Sequence, residues 1–204
     1  MNECINSNSI GSNEVFNFCF SNKIKLIYSA TSATIGNNGM DKNLSPYAFT
    51  KAKNLEMLEN LKKWFNFKYE VIYFYNVYGP KQIGTGNMAT VIGIFENQFN
   101  NKKPLTIVKP GTQTRRFTHI NDTVDACFHA WKKNKCRHYS ISNKKSYSII
   151  QVAKMFKSKV KFLPARPGER HVSALANMNL SNKIYKLFGS IQLNKYIKNI
   201  VNNR

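Results

Sequence analysis

Ser45-Pro46-Tyr47-Ala48-Phe49-Thr50-Lys51 begins the longest regular element that the sequence predicts. Serine before proline is a good N-cap and first-turn pair, and apolar residues follow at helical spacing (Leu55, Leu58, Leu61, Trp64 and Phe65). The pattern predicts a helix from Pro46 to about Phe65.

Tyr47 and Lys51 are four residues apart and share one face of this helix. An ammonium beside a phenol favours the tyrosinate, so we expect Lys51 to lower the pKa of Tyr47 and make it a general base. The same spacing occurs by chance on many helices, so only the neighbouring segments can indicate whether this pair is functional.

Short apolar runs flank this helix. Ile24–Ser29 precedes it and Tyr69–Tyr75 follows it, and both have the composition of buried parallel strands. Strand, helix and strand in this order predict a βαβ unit. The first strand opens into a small polar cluster, Ser29–Thr34, and ligands of open α/β sheets bind at the carboxyl ends of the strands.

The remaining pattern predicts alternating short elements and hence an α/β fold. Strands are expected at Leu105–Val108, Tyr139–Ser142 and Val160–Leu163. Helices are expected over 8–20, 88–99, Asn121 or Asp122 to about Lys133, Ser148–Phe156, about 179–188 and 192–202.

Length and composition indicate a globular protein. The 204 residues are 42% hydrophobic and 13% aromatic, which suffices for one sizeable domain or one and a half. The sequence contains no apolar run of membrane-spanning length, and its start lacks the form of a signal peptide. We therefore expect a cytoplasmic protein without membrane contact.

The four cysteines (Cys4, Cys19, Cys127 and Cys136) form no Cys-x-x-Cys motif, which favours free thiols in a reducing compartment. Cys127-x-His129 and Cys136-x-His138 resemble metal-ligand pairs on paper. Residues two apart on a helix point to different sides, however, so we expect no metal site.

The net charge of +21 suits an anionic partner. Of the 31 basic residues, 25 are lysines spread along the chain, which indicates a compositional bias more than a binding patch. Four of the six arginines lie in two places, Arg115-Arg116 and Arg166/Arg170. The planar guanidinium suits phosphate oxygens, so these arginines are the candidates for binding an anion.

Five segments in a fixed order carry a family resemblance: Leu26–Gly36, Ser45–Lys51, Phe74–Pro80, Thr114–Asp122 and Arg166–Glu169. Together they resemble the extended short-chain dehydrogenase/reductase family, in particular its NAD-dependent nucleotide-sugar epimerases and dehydratases, and most of all UDP-glucose 4-epimerase. The resemblance implies the C-terminal part of a Rossmann-type parallel sheet with a smaller α/β substrate-binding domain. Residues 1–80 would belong to the NAD-binding domain and 81–204 mainly to the substrate-binding domain, with about 117–143 returning to the sheet.

The resemblance also implies a chemistry. Tyr47 would take the proton of a sugar hydroxyl while the hydride of the same carbon passes to NAD, and return of the hydride to the other face of the keto-sugar inverts the centre. Lys51 would depress the pKa of Tyr47 and hydrogen-bond the nicotinamide ribose. Thr31 would share the hydrogen bond to the reacting hydroxyl, with Ser32 as the alternative because the match is ambiguous by one residue.

Further residues carry implied binding roles. Asn8 and Tyr75 match positions near the cofactor, and Asn76, Arg115, Arg166 and Glu169 match positions that bind the nucleotide-diphosphate sugar. Arg116 departs from the family, which more often has aspartate there. The resemblance further implies that the full-length enzyme is a homodimer.

The two residues that follow Thr31 indicate the class of reaction. Related dehydratases have an Asp-Glu pair there, whereas this chain has Ser32-Ala33, so the pattern favours an epimerase over a dehydratase. An ADP-heptose 6-epimerase remains an alternative, because Gly86–Ala89 has a counterpart in those enzymes. Another dehydratase or reductase of the same fold is a further alternative. An RNA-binding descendant of the fold is the alternative of another class, and it would have no need of the catalytic residues.

One family feature is missing from the sequence. The family begins with a Gly-x-x-Gly-x-x-Gly turn that binds the cofactor pyrophosphate, and none of the ten glycines belongs to such a turn. Roughly three βα units would therefore precede the matched region. We expect this chain to be the C-terminal part of an epimerase, with an open sheet edge at Ile24–Ser29, weak NAD binding and little turnover by itself.

Overall fold

The computed structural model describes residues 2–34, 42–43, 45–86, 88–133, 135, 137–165 and 184–203. The helices are α1 (Asn2–Ile5), α2 (Gly11–Ser21), α3 (Pro46–Phe65), α4 (Val91–Asn100), α5 (Ile120–Lys133), α6 (Ile149–Met155) and α7 (Leu193–Asn202), with a π-helical turn at Asn6–Ile10 and a 3-10 turn at Ser32–Thr34. The strands are β1 (Leu26–Thr31), β2 (Tyr69–Phe74), β3 (Val77–Tyr78), β4 (Leu105–Val108), β5 (Thr114–Arg116), β6 (Thr118–His119), β7 (His138–Ser142), β8 (Ser146–Ser148), β9 (Val160–Leu163) and β10 (Ile184–Phe188).

A four-stranded sheet in the order β1-β2-β7-β10 is the centre of the fold. β1 and β2 are parallel, with Leu26 opposite Tyr69 and Thr31 opposite Phe74, and β2 is also parallel to β7. The predicted α/β class and the βαβ unit around α3 are therefore confirmed. Within the described ranges, β1 lies at one end of this sheet and pairs only with β2.

The chain folds into two compact units. Unit 1 comprises Met1–Phe74, Val124–Ile141 and Ala174–Leu187, and unit 2 comprises Tyr75–Thr123, Ser142–Ser173 and Phe188–Arg204. One cluster of buried residues in unit 1 packs α5 against β2 and β7 (Ile72, Ala126, Ala130, Tyr139 and Ile141). Unit 2 has its own core around α4, α6 and α7, in which the Phe95 and Phe156 rings form a T-shaped pair.

The helix that contains Tyr47 forms as predicted. The Ser45 side chain accepts a hydrogen bond from the backbone N–H of Ala48 at 3.1 Å, and Pro46 occupies the first turn, where its missing N–H costs no hydrogen bond. The helix ends at Asn66, which has a left-handed conformation with a φ of 53°. Both ends of α3 are therefore determined by local sequence.

The predicted helix over about 179–188 is wrong where the structure can test it. Residues 184–188 form β10, the neighbour of β7 in the central sheet, and 179–183 lie outside the described residues. Pairing with another strand is a tertiary effect that a local pattern does not contain, and it overrides weak helix propensity. The final helix occupies Leu193–Asn202, close to its predicted bounds.

Two smaller differences concern where helices begin. The first helical segment begins at Asn2, well before residue 8, and includes the π-helical turn at Asn6–Ile10. The helix expected from Asn121 or Asp122 begins at Ile120, and the Asp122 carboxylate accepts hydrogen bonds from Ser190 and Ile191. Asp122 therefore joins two distant parts of unit 2 and does not cap its own helix.

Candidate active site

Two hydroxyl groups meet at the carboxyl end of β1. Thr31 is the last residue of this strand, Tyr47 lies in the first turn of α3, and their side chains are hydrogen-bonded. Tyr47 as a residue is 47% exposed. Of the two predicted alternatives, Thr31 is thus the one described in contact with Tyr47, while Ser32 is buried at the start of the 3-10 turn.

Lys51 lies one helical turn beyond Tyr47, as predicted, but its ammonium contacts other groups. It donates a hydrogen bond to the carbonyl oxygen of Ser29 at 3.1 Å. It also lies over the Tyr28 ring, with Nζ 4.9 Å from the ring centroid. Burial lowers the pKa of Lys51, because a desolvated ammonium is less stable than a hydrated one.

The prediction that Lys51 lowers the pKa of Tyr47 is wrong for this structure. Burial raises the pKa of Tyr47 above its ordinary value, the hydrogen bond from Thr31 lowers it in part, and the neighbouring Cys4 thiol raises it. The ammonium of Lys51 lies on Ser29 and Tyr28 instead of on the phenol oxygen. Tyr47 therefore retains its proton near neutral pH in this arrangement.

Asn8 lies in the π-helical turn, on an element that packs against α3. Its side-chain amide donates to the Cys4 sulfur at 3.3 Å, and its backbone carbonyl accepts a hydrogen bond from the side chain of Asn54. These contacts connect Asn8 to the helix that bears Tyr47 and Lys51. The cofactor contact predicted for Asn8 stays a prediction.

Unit 2 contains a separate cavity of about 350 Å³, a volume within the range of small-molecule sites. Most of its wall is aliphatic or aromatic. Its polar lining residues are Asn76, Thr90, Thr106, Gln113 and Arg115. Thr90 is the N-cap of α4 and accepts a hydrogen bond from the backbone N–H of Gly93 at 3.1 Å. The positive end of a helix dipole and a guanidinium therefore share this wall, which favours an anionic ligand.

The side chains of Arg115 and Arg116, neighbours on β5, lie in different environments. Arg115 lines the cavity, and its Nη1 donates to the carbonyl of Thr114 at 2.8 Å. Arg116 donates through Nη1 to the carbonyl oxygens of Asn143, at 2.9 Å, and of Lys144. Burial lowers the pKa of the Arg116 guanidinium, and Tyr75 nearby raises it. Arg116 thus secures the turn between β7 and β8, which gives a structural reason for arginine at this position.

Asn76 and Tyr75 follow β2 at the start of unit 2. Asn76 has a φ of 32° and donates its side-chain amide to the carbonyl of Arg116 at 2.8 Å, so it orients the strand that carries Arg115. It also lines the cavity. Tyr75 is 1% exposed, and its predicted cofactor contact stays a prediction. Arg166 and Glu169 lie outside the described residues.

The described part of the chain offers neither a membrane-spanning helix nor a metal site. None of its helices combines the length and apolar character needed to cross a membrane. Among the same residues, no three His, Cys, Asp or Glu side chains converge as a metal site would require.

The sequence pattern did not single out Tyr28, Asn54 or Gln113. Tyr28 lies under the Lys51 ammonium, Asn54 bonds to Tyr28, and Gln113 lines the cavity two residues before Arg115. Asn54 follows Tyr47 by seven residues and Lys51 by three, so helical spacing alone places it on the same face. Tyr28 and Gln113 carry no comparable signal.

Comparison with known proteins matches this chain to a protein family. The model of the NAD dependent epimerase/dehydratase family matches residues 1–142. The ADP-L-glycero-D-manno-heptose-6-epimerase of Fusobacterium nucleatum is 28% identical over 159 residues, which cover 68% of this chain and 48% of that protein. An uncharacterized protein of Methanocaldococcus jannaschii is 26% identical over 215 residues, which cover 97% of this chain and 64% of that protein. The chain thus spans about half to two thirds of the length of these relatives.

Solved structures share the fold. UDP-N-acetylglucosamine 4-epimerase from Methanobrevibacter ruminantium, in complex with UDP-N-acetylmuramic acid, superposes with a TM-score of 0.83 at 24% identity, covering 97% of this chain and 68% of that chain. UDP-glucose 4-epimerase from Thermotoga maritima, with UDP-glucose, gives a TM-score of 0.84 at 22% identity, covering 97% of this chain and 69% of that chain. At these identities the likeness concerns the fold.

Proposed function

Because this chain belongs to the NAD dependent epimerase/dehydratase family, we propose that it carries the catalytic and sugar-nucleotide-binding part of a nucleotide-sugar epimerase resembling UDP-glucose 4-epimerase. The observation that carries the proposal is the hydrogen bond between Thr31 and Tyr47, with Lys51 one turn further along α3. Two hydroxyls held together at the carboxyl end of a parallel strand form a site for a third hydroxyl, that of the sugar.

In this proposal Tyr47 exchanges a proton with the reacting sugar oxygen. Thr31 holds that oxygen by a hydrogen bond, so that the proton has a short path to the phenol. Since its pKa is raised, Tyr47 is protonated near neutral pH and is ready to donate in the direction that reduces the keto-sugar. In the reverse direction it must first ionise, and the hydrogen bond from Thr31, which lowers the pKa of Tyr47 in part, favours that ionisation.

The residues present fit the family's cofactor. NAD, when bound, supplies the acceptor and donor of the hydride. Lys51 presents an ammonium with three N–H donors, of which the Ser29 carbonyl takes one, so donors remain for a ribose hydroxyl. Lys51 and Tyr47 are the residues of this chain that would hold that part of the cofactor.

The cavity of unit 2 is the proposed site of the nucleotide diphosphate. Arg115 and the N-terminus of α4 supply positive charge and N–H groups for the phosphates, and the apolar wall suits a base. Asn76 would contact the sugar, as the resemblance implies. Arg166 and Glu169 are proposed as further substrate contacts.

We also propose that the working enzyme includes βα units that this sequence lacks. β1 ends the sheet in the described part of the chain, and the relatives extend well beyond the matched region. One face of α5 exposes Val124, Phe128 and Trp131, although its other face packs on the sheet. A helix that is apolar on two faces is normally buried, so further elements beside β1 would cover it. A homodimer of the complete enzyme stays a prediction.

A binding panel tests the substrate. UDP-glucose, dTDP-glucose and ADP-L-glycero-D-manno-heptose are titrated into the chain and followed by saturation-transfer NMR. We expect UDP-glucose to bind, because the cavity is contained within unit 2. Preference for the ADP sugar would favour the heptose 6-epimerase alternative, which the 28% identity to the Fusobacterium enzyme supports. Absence of binding by all three would contradict the proposal.

A substitution tests the catalytic assignment. The part of the M. jannaschii relative that precedes its match to this chain is fused before residue 1. Conversion of UDP-glucose to UDP-galactose is followed by chromatography. Tyr47→Phe should abolish conversion while UDP-glucose affinity remains near that of the parent, because only the ionisable oxygen is lost. An active fusion that tolerates Tyr47→Phe would show that the phenol is not the proton carrier. If the fusion is inactive, the binding panel decides.

A further inference from the structure

The ammonium of Lys51 is held by two groups of β1. It donates to the Ser29 carbonyl at 3.1 Å and lies 4.9 Å from the centroid of the Tyr28 ring. Tyr28 is 6% exposed, and its ring forms a T-shaped pair with Phe16, with centroids 5.9 Å apart. Burial raises the pKa of Tyr28 to about 12, so the ring stays neutral and attracts a cation through its face.

A second residue determines where that ring lies. The side-chain amide of Asn54 donates to the Tyr28 hydroxyl at 3.1 Å and to the backbone carbonyl of Asn8. Asn54 is 5% exposed, three residues after Lys51 on α3. Both N–H groups of the amide are therefore used, and they connect α3, β1 and the π-helical turn at a single point.

We propose that Tyr28 and Asn54 are positioning residues, which hold the Lys51 ammonium beside β1, where it would meet the cofactor ribose. The inference rests on the proposed function, because that function assigns Lys51 to the ribose. A lysine side chain has four rotatable bonds and loses entropy when it is confined. A ring face and a carbonyl that confine it beforehand remove part of that loss from the binding step.

Lysine side-chain NMR on the whole chain tests the contact without cofactor or turnover. The ε-methylene signal of Lys51, assigned by its loss in Lys51→Arg, should lie upfield of the other lysines because of the Tyr28 ring current. Tyr28→Leu should abolish the shift, and Tyr28→Phe, which keeps the ring but loses the hydrogen bond from Asn54, should reduce it. Asn54→Leu should reduce it, because the ring loses its hydrogen bond. An unshifted wild-type signal would overturn the inference even if Tyr28→Leu fails to fold.

Cofactor affinity tests the consequence. NAD is titrated at millimolar concentration and followed by chemical-shift changes. We expect binding about fivefold weaker in Tyr28→Leu and an intermediate affinity in Tyr28→Phe, which keeps the ring but not the hydrogen bond from Asn54. Loss of the ring-current shift with unchanged NAD affinity would overturn the positioning role. Failure of the proposed function would be visible separately, as absence of nucleotide-sugar binding by a chain whose Lys51 signal is still shifted.

Discussion

Arg115 and Arg116 are neighbours in β5, yet their guanidinium groups have different tasks. Arg116 donates to two backbone carbonyls of the turn between β7 and β8, whereas Arg115 lines the cavity of unit 2. Residues on a strand alternate between its two faces, so two adjacent arginines cannot both point into one cavity. A pair of basic residues in sequence therefore becomes one ligand candidate and one structural residue.

Arg115→Ala should weaken UDP binding by about 2 to 3 kcal/mol, because a charge-assisted hydrogen bond to phosphate is lost. Isothermal titration of UDP into the chain measures this. The UDP affinity of Arg115→Lys should lie between those of the parent chain and Arg115→Ala, since lysine keeps the charge without the planar guanidinium. Lys154→Ala, an exposed change on α6 away from the cavity lining, controls for net charge and should leave affinity unchanged. Unaltered affinity in Arg115→Ala would remove Arg115 from the site.

At the scale of an element, α3 brings Tyr47, Lys51 and Asn54 onto one face and begins at a serine cap. Ser45→Ala removes the acceptor for the Ala48 N–H and should lower the free energy of unfolding by about 1 kcal/mol. Urea denaturation followed by circular dichroism measures it. Ser45→Asp provides the matched control, since aspartate caps equally well. A loss of the same size in both variants would mean that the cap does not stabilise α3.

The segment before α7 is held by one carboxylate of α5. Asp122 accepts hydrogen bonds from the Ser190 N–H at 3.1 Å, the Ser190 hydroxyl at 2.8 Å and the Ile191 N–H at 3.1 Å. A Cβ on Gly189 would lie 2.8 Å from the Asp122 Oδ2, too close for a normal contact. Glycine is therefore needed for the backbone to approach this carboxylate.

Asp122→Ala should cost about 2 to 4 kcal/mol in the free energy of unfolding, because three donors lose their acceptor. Gly189→Ala should also destabilise, through the contact with the same carboxylate. In the double variant no carboxylate lies beside position 189, so Gly189→Ala should lower the free energy of unfolding by less than it does when Asp122 is present. Urea unfolding of the four proteins gives this coupling. Strictly additive losses would show that residues 122 and 189 do not interact.

At the scale of the whole molecule, buried tyrosines make stability depend on alkaline pH. Burial raises the pKa of Tyr28 to about 12 and also raises those of Tyr78 and Tyr196, against a value near 10 in the unfolded chain. The unfolded chain therefore loses these protons first as the pH rises. The stability they contribute is complete below about pH 10 and declines as the pH approaches 12.

We expect Tyr28 alone to account for a loss of about 2 kcal/mol between pH 10 and pH 12. Urea unfolding at a series of pH values measures the slope. Tyr28→Phe should be less stable near neutral pH, because the hydrogen bond with Asn54 is lost, but its stability should fall less steeply above pH 10. Parallel slopes in wild type and Tyr28→Phe would contradict the raised pKa.

Local sequence determined the elements that depend on local interactions. The cap at Ser45, the apolar period of α3 and the β-rich run of β2 predicted these elements within a residue, and the order of the motifs indicated the family. These features are readable because caps, hydrophobic period and motif spacing act over a few residues.

Tertiary structure decided the rest. Residues 184–188 became a strand because β7 offers a pairing edge, and Arg116 became a structural residue because the β7–β8 turn presents two carbonyls to it. The pKa of Tyr47 rose because burial acts on the phenol while the Lys51 ammonium lies on Tyr28 and Ser29. Each outcome depends on groups that are distant in sequence or on a side-chain direction, and a one-dimensional pattern contains neither.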